Sequence, residues 1–175
     1  MRQAKATAGH GPAGGYVHAA AAFDDELGRL RLLERRYDAR TFARLSALGP
    51  LPGTRCLEVG AGAGSVARWL AAQAGPAGRV VATDDDPRFL LGAAADGIEV
   101  RRHDILAGPP EPGRYDLVHC RALLCHLHDP PQALRNMAAA VRPGGWLLAE
   151  AADYVSLVAA DPDHELLSRP VDQDL

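Results

Sequence analysis

The stretch CLEVGAGAGSVARWL, residues 56–70, places three glycines at alternate positions between an apolar run and a run with helical spacing. Glycine inside a strand or helix weakens it, so a cluster of glycines indicates a tight turn or a close approach of the backbone to a bound molecule. The apolar run ends at Gly60, and Ser65 begins the helical run, whose first amides favour a negative group. The stretch therefore predicts a strand, a turn and a helix, with a ligand over the carboxyl end of the strand.

Short apolar strands alternate with helices along the rest of the chain. The predicted strands are RCLEVG, RVVATD, IEVRRHD, YDLVHC and WLLAEA, which start at residues 55, 79, 98, 115 and 146. The predicted helices are residues 65–74, PRFLLGAAA from Pro87 and PPQALRNMAAAVR from Pro130, and PGG at 143–145 is a predicted turn. This alternation indicates a parallel sheet covered on both faces, an α/β fold.

The chain divides into three predicted parts. Residues 1–15 are rich in glycine and alanine without periodicity, and we expect them to be flexible. Residues 16–50 have helical spacing with a break near Asp38, and GPLPG at 49–53 ends the helix. Residues 51–175 form the α/β domain.

An acidic residue ends the second predicted strand. Asp84 lies about 20 residues past Gly64, where a carboxylate can accept hydrogen bonds from both ribose hydroxyls of a bound nucleoside. An alternative interpretation is that TDDDP only caps the helix that begins at Pro87, with Asp86 as the cap. The two interpretations are compatible, and neither separates NAD from other nucleosides.

A second acid ends the third predicted strand. Asp104 can accept a hydrogen bond from an exocyclic amine such as adenine N6, while Ile105 packs on the ring. The alternative is a loop aspartate that forms a turn. Beside Asp84, the ligand interpretation is favoured.

Composition excludes several classes of function. The net charge of −3 and the aromatic content of 5% give no basis for binding nucleic acid or an anionic membrane. Three cysteines without CxxC spacing predict reduced thiols in a cytoplasmic protein. No apolar run reaches membrane-spanning length, no secretory signal is predicted, and the alanine-rich, arginine-rich composition suggests a bacterial gene.

Five pieces of the chain, taken in order, resemble the class I S-adenosylmethionine-dependent methyltransferases that act on small molecules. They are LEVGAGAGS, VVATDDDP, RRHDIL, YDLVHCRALLCHL and VRPGGWLLAE, which span residues 57–150. The resemblance implies a Rossmann-like three-layer sandwich with a mostly parallel sheet of strand order 3-2-1-4-5 and an N-terminal helical cap. It also implies S-adenosylmethionine as cofactor and S-adenosylhomocysteine as product.

The resemblance further implies the roles of individual residues. The glycines lie along the methionine and ribose portion, Glu58 holds the loop or the amino group, and Cys120 and Arg121 border the methionine end. Asp84 binds the ribose, and Asp104 with Ile105 lies at the adenine. The complete set of predicted cofactor-binding residues is Tyr16, Glu58, Gly60, Ala61, Gly62, Gly64, Ser65, Asp84, Asp85, Asp104, Ile105, Cys120 and Arg121.

Histidines cluster beyond the fourth predicted strand, on the side where an acceptor would lie. One hypothesis makes His126 or His119 the general base for an acceptor that must lose a proton. The alternative is that these are structural or loop histidines. His126, His128 and Asp129 lie too close together in one loop to give a convincing third-ligand geometry, so no metal is predicted.

The segment after the fifth predicted strand differs from the family pattern. The family's sheet continues with a helix and an antiparallel hairpin, for which residues 151–175 are too short. Strand five is therefore expected to be an exposed edge, which proteins usually cover. A fragment or truncated gene product, a homodimer that covers the edge, and a tail that covers it differently remain open.

The leading prediction is a methyltransferase that transfers a methyl group from S-adenosylmethionine to a small-molecule acceptor. The alternative from another class is a non-catalytic protein that binds the cofactor or a partner. An NAD-dependent oxidoreductase would share Asp84 and the glycine turn, with Ser65 at the third glycine position, but Glu58, Asp104 and RPGG count against it. No nucleic acid or membrane partner is predicted.

Overall fold

The computed structural model describes residues 23–49, 51–90 and 92–151 of the 175-residue chain. Tyr16, the flexible segment predicted at 1–15 and the segment from residue 152 onward lie outside the described residues. No helix among the described residues combines the length and the apolar character needed to cross a membrane.

A five-stranded parallel sheet forms the centre of the fold. Its strands are β1 (Arg55–Val59), β2 (Arg79–Asp84), β3 (Ile98–Arg102), β4 (Tyr115–Arg121) and β5 (Val141–Glu150). The strand order is β3-β2-β1-β4-β5, with all neighbouring pairs parallel. This confirms the predicted Rossmann-like fold and strand order, and it places the carboxyl ends of all strands at one edge.

Helices cover both faces of the sheet. They are α1 (Phe23–Ala47), α2 (Ser65–Ala74) and α3 (Pro130–Ala140). Successive side chains of a strand point to opposite faces, so Cys56 packs with Leu70 of α2, while Leu57 packs with Met137 of α3. The sheet therefore has one apolar layer on each of its two faces, as a three-layer sandwich requires.

The break predicted near Asp38 is absent, because α1 runs without interruption from Phe23 to Ala47. An aspartate inside a helix often interrupts it, because the side chain competes for nearby backbone hydrogen-bonding groups. Here the Asp38 carboxylate instead accepts from the Ser65 hydroxyl and pairs with Arg121, so it leaves the helical backbone intact.

The single helix predicted at PRFLLGAAA is two short 3-10 helices, Pro87–Phe89 and Ala93–Asp96. Gly92 lies between them with a φ of +73°, in the left-handed region that a continuous helix cannot contain.

The turn predicted at residues 143–145 is a bulge within β5. The pairing with β4 shifts register between Tyr115 and Leu117, and Gly144 has a φ of +78°. A Cβ on Gly145 would lie 2.7 Å from the carbonyl oxygen of Asp116, so only glycine fits there. Within the described residues, β5 is an edge of the sheet, as expected.

Candidate cofactor-binding site

The glycine loop, residues 60–64, lies at the carboxyl end of β1. The amides of Gly60 and Ala61 donate to the carbonyl oxygen of Thr83 at 2.8 and 3.1 Å, which fixes the start of the loop against β2. Gly60 and Gly62 have φ values of +68° and +54°, a conformation that side chains rarely adopt. The loop therefore needs glycine at both positions.

The loop glycines also allow close packing. A Cβ on Gly60 would lie 3.0 Å from Leu123, and one on Gly62 would lie 3.1 Å from Leu30. A Cβ on Gly64 would lie 2.9 Å from Leu90 of the core cluster, so this third glycine serves packing beside α2.

A cavity of about 140 Å³ opens beside Gly60 and Gly62. Its walls come from the ends of β1, β2, β3 and β4 and from one face of α1. The lining residues outside the loop are Glu26, Arg29, Leu30, Leu33, Val59, Asp84, Asp85, Asp86, Arg88, Phe89, His103, Asp104, Ile105, Arg121, Ala122, Leu123 and Leu127. The cavity thus lies where parallel α/β sheets bind their ligands.

Asp84 ends β2 and lies in the cavity wall. Its Oδ2 accepts from the Gly62 amide and its Oδ1 from the Asp86 amide, both at 2.9 Å. Burial raises the pKa of Asp84 above its usual value, and these two amide hydrogen bonds act against that rise. The carboxylate is therefore held in one orientation with lone pairs to spare for a ligand.

The two acids after Asp84 differ. Asp85 is exposed at the rim of the cavity. Asp86 accepts from the Arg88 amide and caps the 3-10 helix Pro87–Phe89, which confirms the capping interpretation for this residue. Residues 84–86 therefore supply both a wall of the cavity and the N-terminal cap of this 3-10 helix.

Asp104 and Ile105 lie together at the cavity after β3. Asp104 is exposed, and its Oδ1 accepts from the Leu106 amide at 2.8 Å, which caps the 3-10 helix Ile105–Ala107. Ile105 is buried and lines the cavity. The turn and the cavity wall predicted here are both present.

Helix α1 forms the cap over this edge. Leu30 and Leu33 line the cavity, and the ring of Phe23 stacks on Phe89 with centroids 4.9 Å apart. Phe42 stacks on Trp69 of α2 at 5.0 Å. The cap is therefore anchored near both of its ends.

The first residue of α2 is bound by α1. The amide of Ser65 donates to Oε1 of Glu34, and its hydroxyl donates to Oδ1 of Asp38, each at 2.9 Å. The negative group expected at this helix start is thus a carboxylate of the protein itself.

Cys120 and Arg121 point in opposite directions at the end of β4. Cys120 is 0% exposed inside the core, and burial raises its pKa to about 12. Its side chain therefore does not reach the cavity, because alternate strand residues face opposite sides, and its place at the methionine end stays a prediction. Arg121 does line the cavity, where it pairs with Asp38 at 2.9 Å and donates to Thr41 at 3.0 Å.

Glu58 and His119 lie inside the sheet rather than at the cavity. Glu58 is 2% exposed and His119 is 0% exposed, and Nδ1 of His119 lies 2.6 Å from Oε2 of Glu58. Nε2 of His119 lies 3.2 Å from Oε2 of Glu150. Neither side chain lines the cavity, so this geometry does not support Glu58 at the cofactor's amino group or His119 as a general base, while Glu58 is placed to hold the loop, its other predicted role.

The two later histidines follow β4 in a loop. His126 ends the 3-10 helix Leu124–His126 and is half-buried, whereas His128 is exposed. Neither lines the cavity, and His126 as a general base stays a prediction. No group of three or more histidine, cysteine, aspartate or glutamate side chains within the described ranges could hold a metal ion.

Sequence reasoning missed the residues by which α1 contacts the site. The leucines of α1 have helical spacing, but spacing alone does not say which face meets the cavity. Glu34, Asp38 and Thr41 carried no motif. Ala122 was also missed: it is the one non-glycine with a positive φ, +53°, among the described residues, and it lines the cavity.

Comparisons with known proteins agree with this architecture. A family model described as a methyltransferase domain matches residues 30–168. An uncharacterized 37.1 kDa protein in transposon TN4556 of Streptomyces fradiae is 33% identical over 152 residues, 83% of this chain and 44% of that protein. The ubiquinone biosynthesis O-methyltransferase of Bordetella bronchiseptica is 35% identical over 106 residues, 57% of this chain and 43% of that enzyme. The chain thus spans less than half the length of these relatives.

A solved structure shares the fold. The S-adenosylmethionine-dependent methyltransferase from Aquifex aeolicus superposes with a TM-score of 0.59 at 20% identity, covering 70% of this chain and 71% of that chain. Since the family model matches most of the chain, this chain belongs to the methyltransferase-domain family that it describes, with the fold of class I S-adenosylmethionine-dependent methyltransferases.

Proposed function

We propose that this chain is the cofactor-binding part of a methyltransferase that transfers a methyl group from S-adenosylmethionine to a small-molecule acceptor. The observation that carries the proposal is the fixed Asp84 carboxylate, held by the Gly62 amide at the wall of a cavity that the glycine loop leaves open.

The residues present fit the cofactor. A Cβ at Gly60 or Gly62 would press on Leu123 or Leu30, both of which line the cavity, so the glycine backbone itself forms the cavity wall. Asp84, with Asp85 at the rim, would bind the ribose hydroxyls. Ile105 would pack on the adenine and Asp104 would accept from its amine. Arg121, a guanidinium in the cavity wall, would bind the methionine carboxylate.

The charge of the cavity also supports a cationic cofactor. Its lining includes five carboxylates, from Glu26, Asp84, Asp85, Asp86 and Asp104. Three guanidinium groups, from Arg29, Arg88 and Arg121, oppose them. The acidic excess favours a sulfonium ion over an anionic dinucleotide, which is why the NAD alternative is not favoured.

When bound, the cofactor supplies a methyl group that its sulfonium already activates. The chain's residues therefore need only orient the acceptor and exclude water. Leu30 and Leu33 of α1, with Leu123 and Leu127 after β4, give the cavity an apolar side suited to this task. If the acceptor must lose a proton, His126 is the remaining candidate base.

A small-molecule acceptor has two supports. The Bordetella bronchiseptica relative is named for ubiquinone biosynthesis and O-methylation. The chain also has a net charge of −3, which does not favour a nucleic acid substrate. The homodimer predicted to cover β5, and the cytoplasmic location, stay predictions.

Multiple-turnover assays test this function. The chain is incubated with S-adenosylmethionine and a panel of small phenols, amines and carboxylic acids, and S-adenosylhomocysteine formation is measured. We expect turnover with at least one hydroxyl-bearing member and strongly reduced turnover for Asp84→Asn. Stoichiometric binding of cofactor with no product from any member would instead favour the non-catalytic alternative.

A further inference from the structure

His119 lies between two carboxylates inside the sheet. Its Nδ1 is 2.6 Å from Oε2 of Glu58 in β1, and its Nε2 is 3.2 Å from Oε2 of Glu150 at the end of β5. An ionised carboxylate only accepts hydrogen bonds, so both ring nitrogens must donate. With both carboxylates ionised, the imidazole carries two protons and a positive charge, in agreement with its raised pKa.

Glu150 extends this pairing to the cap helix. Thr41 of α1 donates its hydroxyl to Oε2 of Glu150 at 2.6 Å, and Arg44 of α1 pairs with Oε1. The Thr41 oxygen in turn accepts from Arg121 at 3.0 Å. The charge of the buried His119 is thus linked to α1 through one carboxylate.

A series of hydrogen bonds and ion pairs continues from Arg121 to the far end of the glycine loop. Arg121 pairs with Asp38 of α1 at 2.9 Å, and Asp38 accepts from the Ser65 hydroxyl at 2.9 Å. The path begins at Glu58, two residues before Gly60, and ends at Ser65, directly after Gly64. We call this path, from Glu58 through His119 and Glu150 to Ser65, the loop-to-cap network. It connects both ends of the glycine loop through the helix that covers it.

We propose that His119 is a positioning residue for the cofactor: by donating to Glu58 and Glu150 at once, it holds the glycine loop and the cap helix in the arrangement that binds S-adenosylmethionine. His119 is 0% exposed and does not line the cavity, so it acts only through these two carboxylates. The inference rests on the cofactor of the proposed function and does not depend on the acceptor.

The surroundings of His119 set the pH range of this effect. The charged and titratable groups around it are Glu58 from β1, Glu150 from β5, Arg44 and Asp38 from α1, and Cys120 and Arg121 from β4 itself. Burial alone would lower the pKa of His119, but the charges and hydrogen bonds of Glu58 and Glu150 raise it to about 9. Above that pH one ring nitrogen stops donating, and one carboxylate loses its partner.

Two measurements test the proposal. The first is calorimetric titration with S-adenosylhomocysteine at pH 7 and pH 10, for the wild-type protein, H119Q and the matched control H128Q at an exposed histidine. The second is an NMR titration of the histidine ring nitrogens in the wild-type protein, with and without S-adenosylhomocysteine. The NMR titration needs no variant, so it holds even if H119Q does not fold.

We expect H119Q to bind about tenfold more weakly than wild type at pH 7, since both N–H donors of glutamine are on one nitrogen and its amide oxygen would face one of the two carboxylates. At pH 10 the wild type should approach H119Q, while H128Q follows the wild type throughout. Because S-adenosylhomocysteine titrates in the same way in both experiments, the difference in affinity between wild type and H119Q is free of that effect. The NMR signal of His119 should show two protonated nitrogens at pH 7, with a midpoint near 9 that rises when the ligand binds.

Three results would overturn the proposal. A folded H119Q that binds with wild-type affinity and pH profile would make His119 irrelevant to the cofactor. If S-adenosylhomocysteine does not change the midpoint of the His119 NMR titration, His119 is irrelevant to the cofactor, and this result needs no variant. A wild-type protein that binds no S-adenosylhomocysteine would overturn the cofactor site itself together with this proposal.

Discussion

Leu30 of the cap helix packs directly over Gly62 of the glycine loop: its Cδ2 lies 3.1 Å from where a Cβ on Gly62 would be. The two residues are far apart in sequence, yet their contact joins the helix to the loop at the wall of the cavity. The shape of the site therefore depends on α1 as much as on the sheet.

This contact makes Gly62 sensitive to substitution. We expect Gly62→Ala to lose about 1–2 kcal/mol of unfolding free energy from its left-handed backbone alone, plus a further loss as Leu30 shifts. Gly97→Ala is the matched control, because Gly97 has a φ of +76° but nothing within 4 Å of its Cβ position. Urea unfolding should show a larger loss at Gly62, and calorimetry should show weakened cofactor binding only there. Equal losses would contradict the packing of α1 on the loop.

Gly28 offers the opposite test. It lies inside α1, its Cβ position has nothing within 4 Å, and its φ is not in the left-handed region. Gly28→Ala should therefore stabilise the protein by about 0.5–1 kcal/mol in urea unfolding, because alanine favours a helix interior. Destabilisation by this variant would mean that α1 is not a continuous helix there.

The sequence predicts the sheet well because each strand has a local signal. Buried parallel strands such as β1 and β4 are short apolar runs, and the glycines after β1 identify the ligand edge. Asp84 could be placed because it ends a strand, and Ile105 because it lies shortly after one. These features follow from residues close together in sequence.

Sequence reasoning is weakest where tertiary contacts decide the position of a side chain. His119 and Cys120 have the residue types of an active site, but the pleat of β4 directs both side chains into the protein. Asp38 is compatible with an intact helix only because Ser65 and Arg121 bind its carboxylate, and both partners are distant in sequence. A single sequence carries no signal for such partners.

Thr41 tests the link between α1 and β5. It is 1% exposed, donates to Glu150 and accepts from Arg121. Thr41→Val keeps the shape but removes one hydrogen bond from each of two charged partners, so we expect a loss of about 1–3 kcal/mol in urea unfolding. Thr41→Ser retains the hydroxyl and should recover most of that loss. A serine variant no better than valine would show that the hydroxyl contributes nothing.

The buried charges predict a stability maximum in mildly acidic solution. The pKa of His119 is raised from 6.5 to about 9. Its contribution to the free energy of unfolding is therefore complete below pH 6.5 and disappears as pH rises through 9. The pKa of Glu150 is lowered from 4.5 to about 2; burial alone would raise it, but His119, Thr41 and Arg44 outweigh burial. Its contribution is complete above pH 4.5 and is lost as pH falls towards 2.

Melting temperature measured against pH checks this prediction. The wild-type Tm should be highest between about pH 4.5 and 6.5 and fall on both sides. Glu150→Gln should reduce both slopes, because it removes one titrating group and one partner of His119. A Tm that stays constant between pH 6.5 and 9 in the wild type would exclude a charged His119 in the folded protein.

The most direct test of the cofactor site is calorimetric titration of the chain with S-adenosylhomocysteine, comparing wild type, Asp84→Asn and Asp96→Asn. Asp96 pairs with Arg68 at the exposed surface, so the same change there should have little effect. We predict one-to-one binding by the wild type and by Asp96→Asn, weakened about 10- to 100-fold in Asp84→Asn by loss of a charged hydrogen-bond acceptor. Absence of binding by the folded wild type, or equal binding by Asp84→Asn, would contradict a cofactor site at the glycine loop.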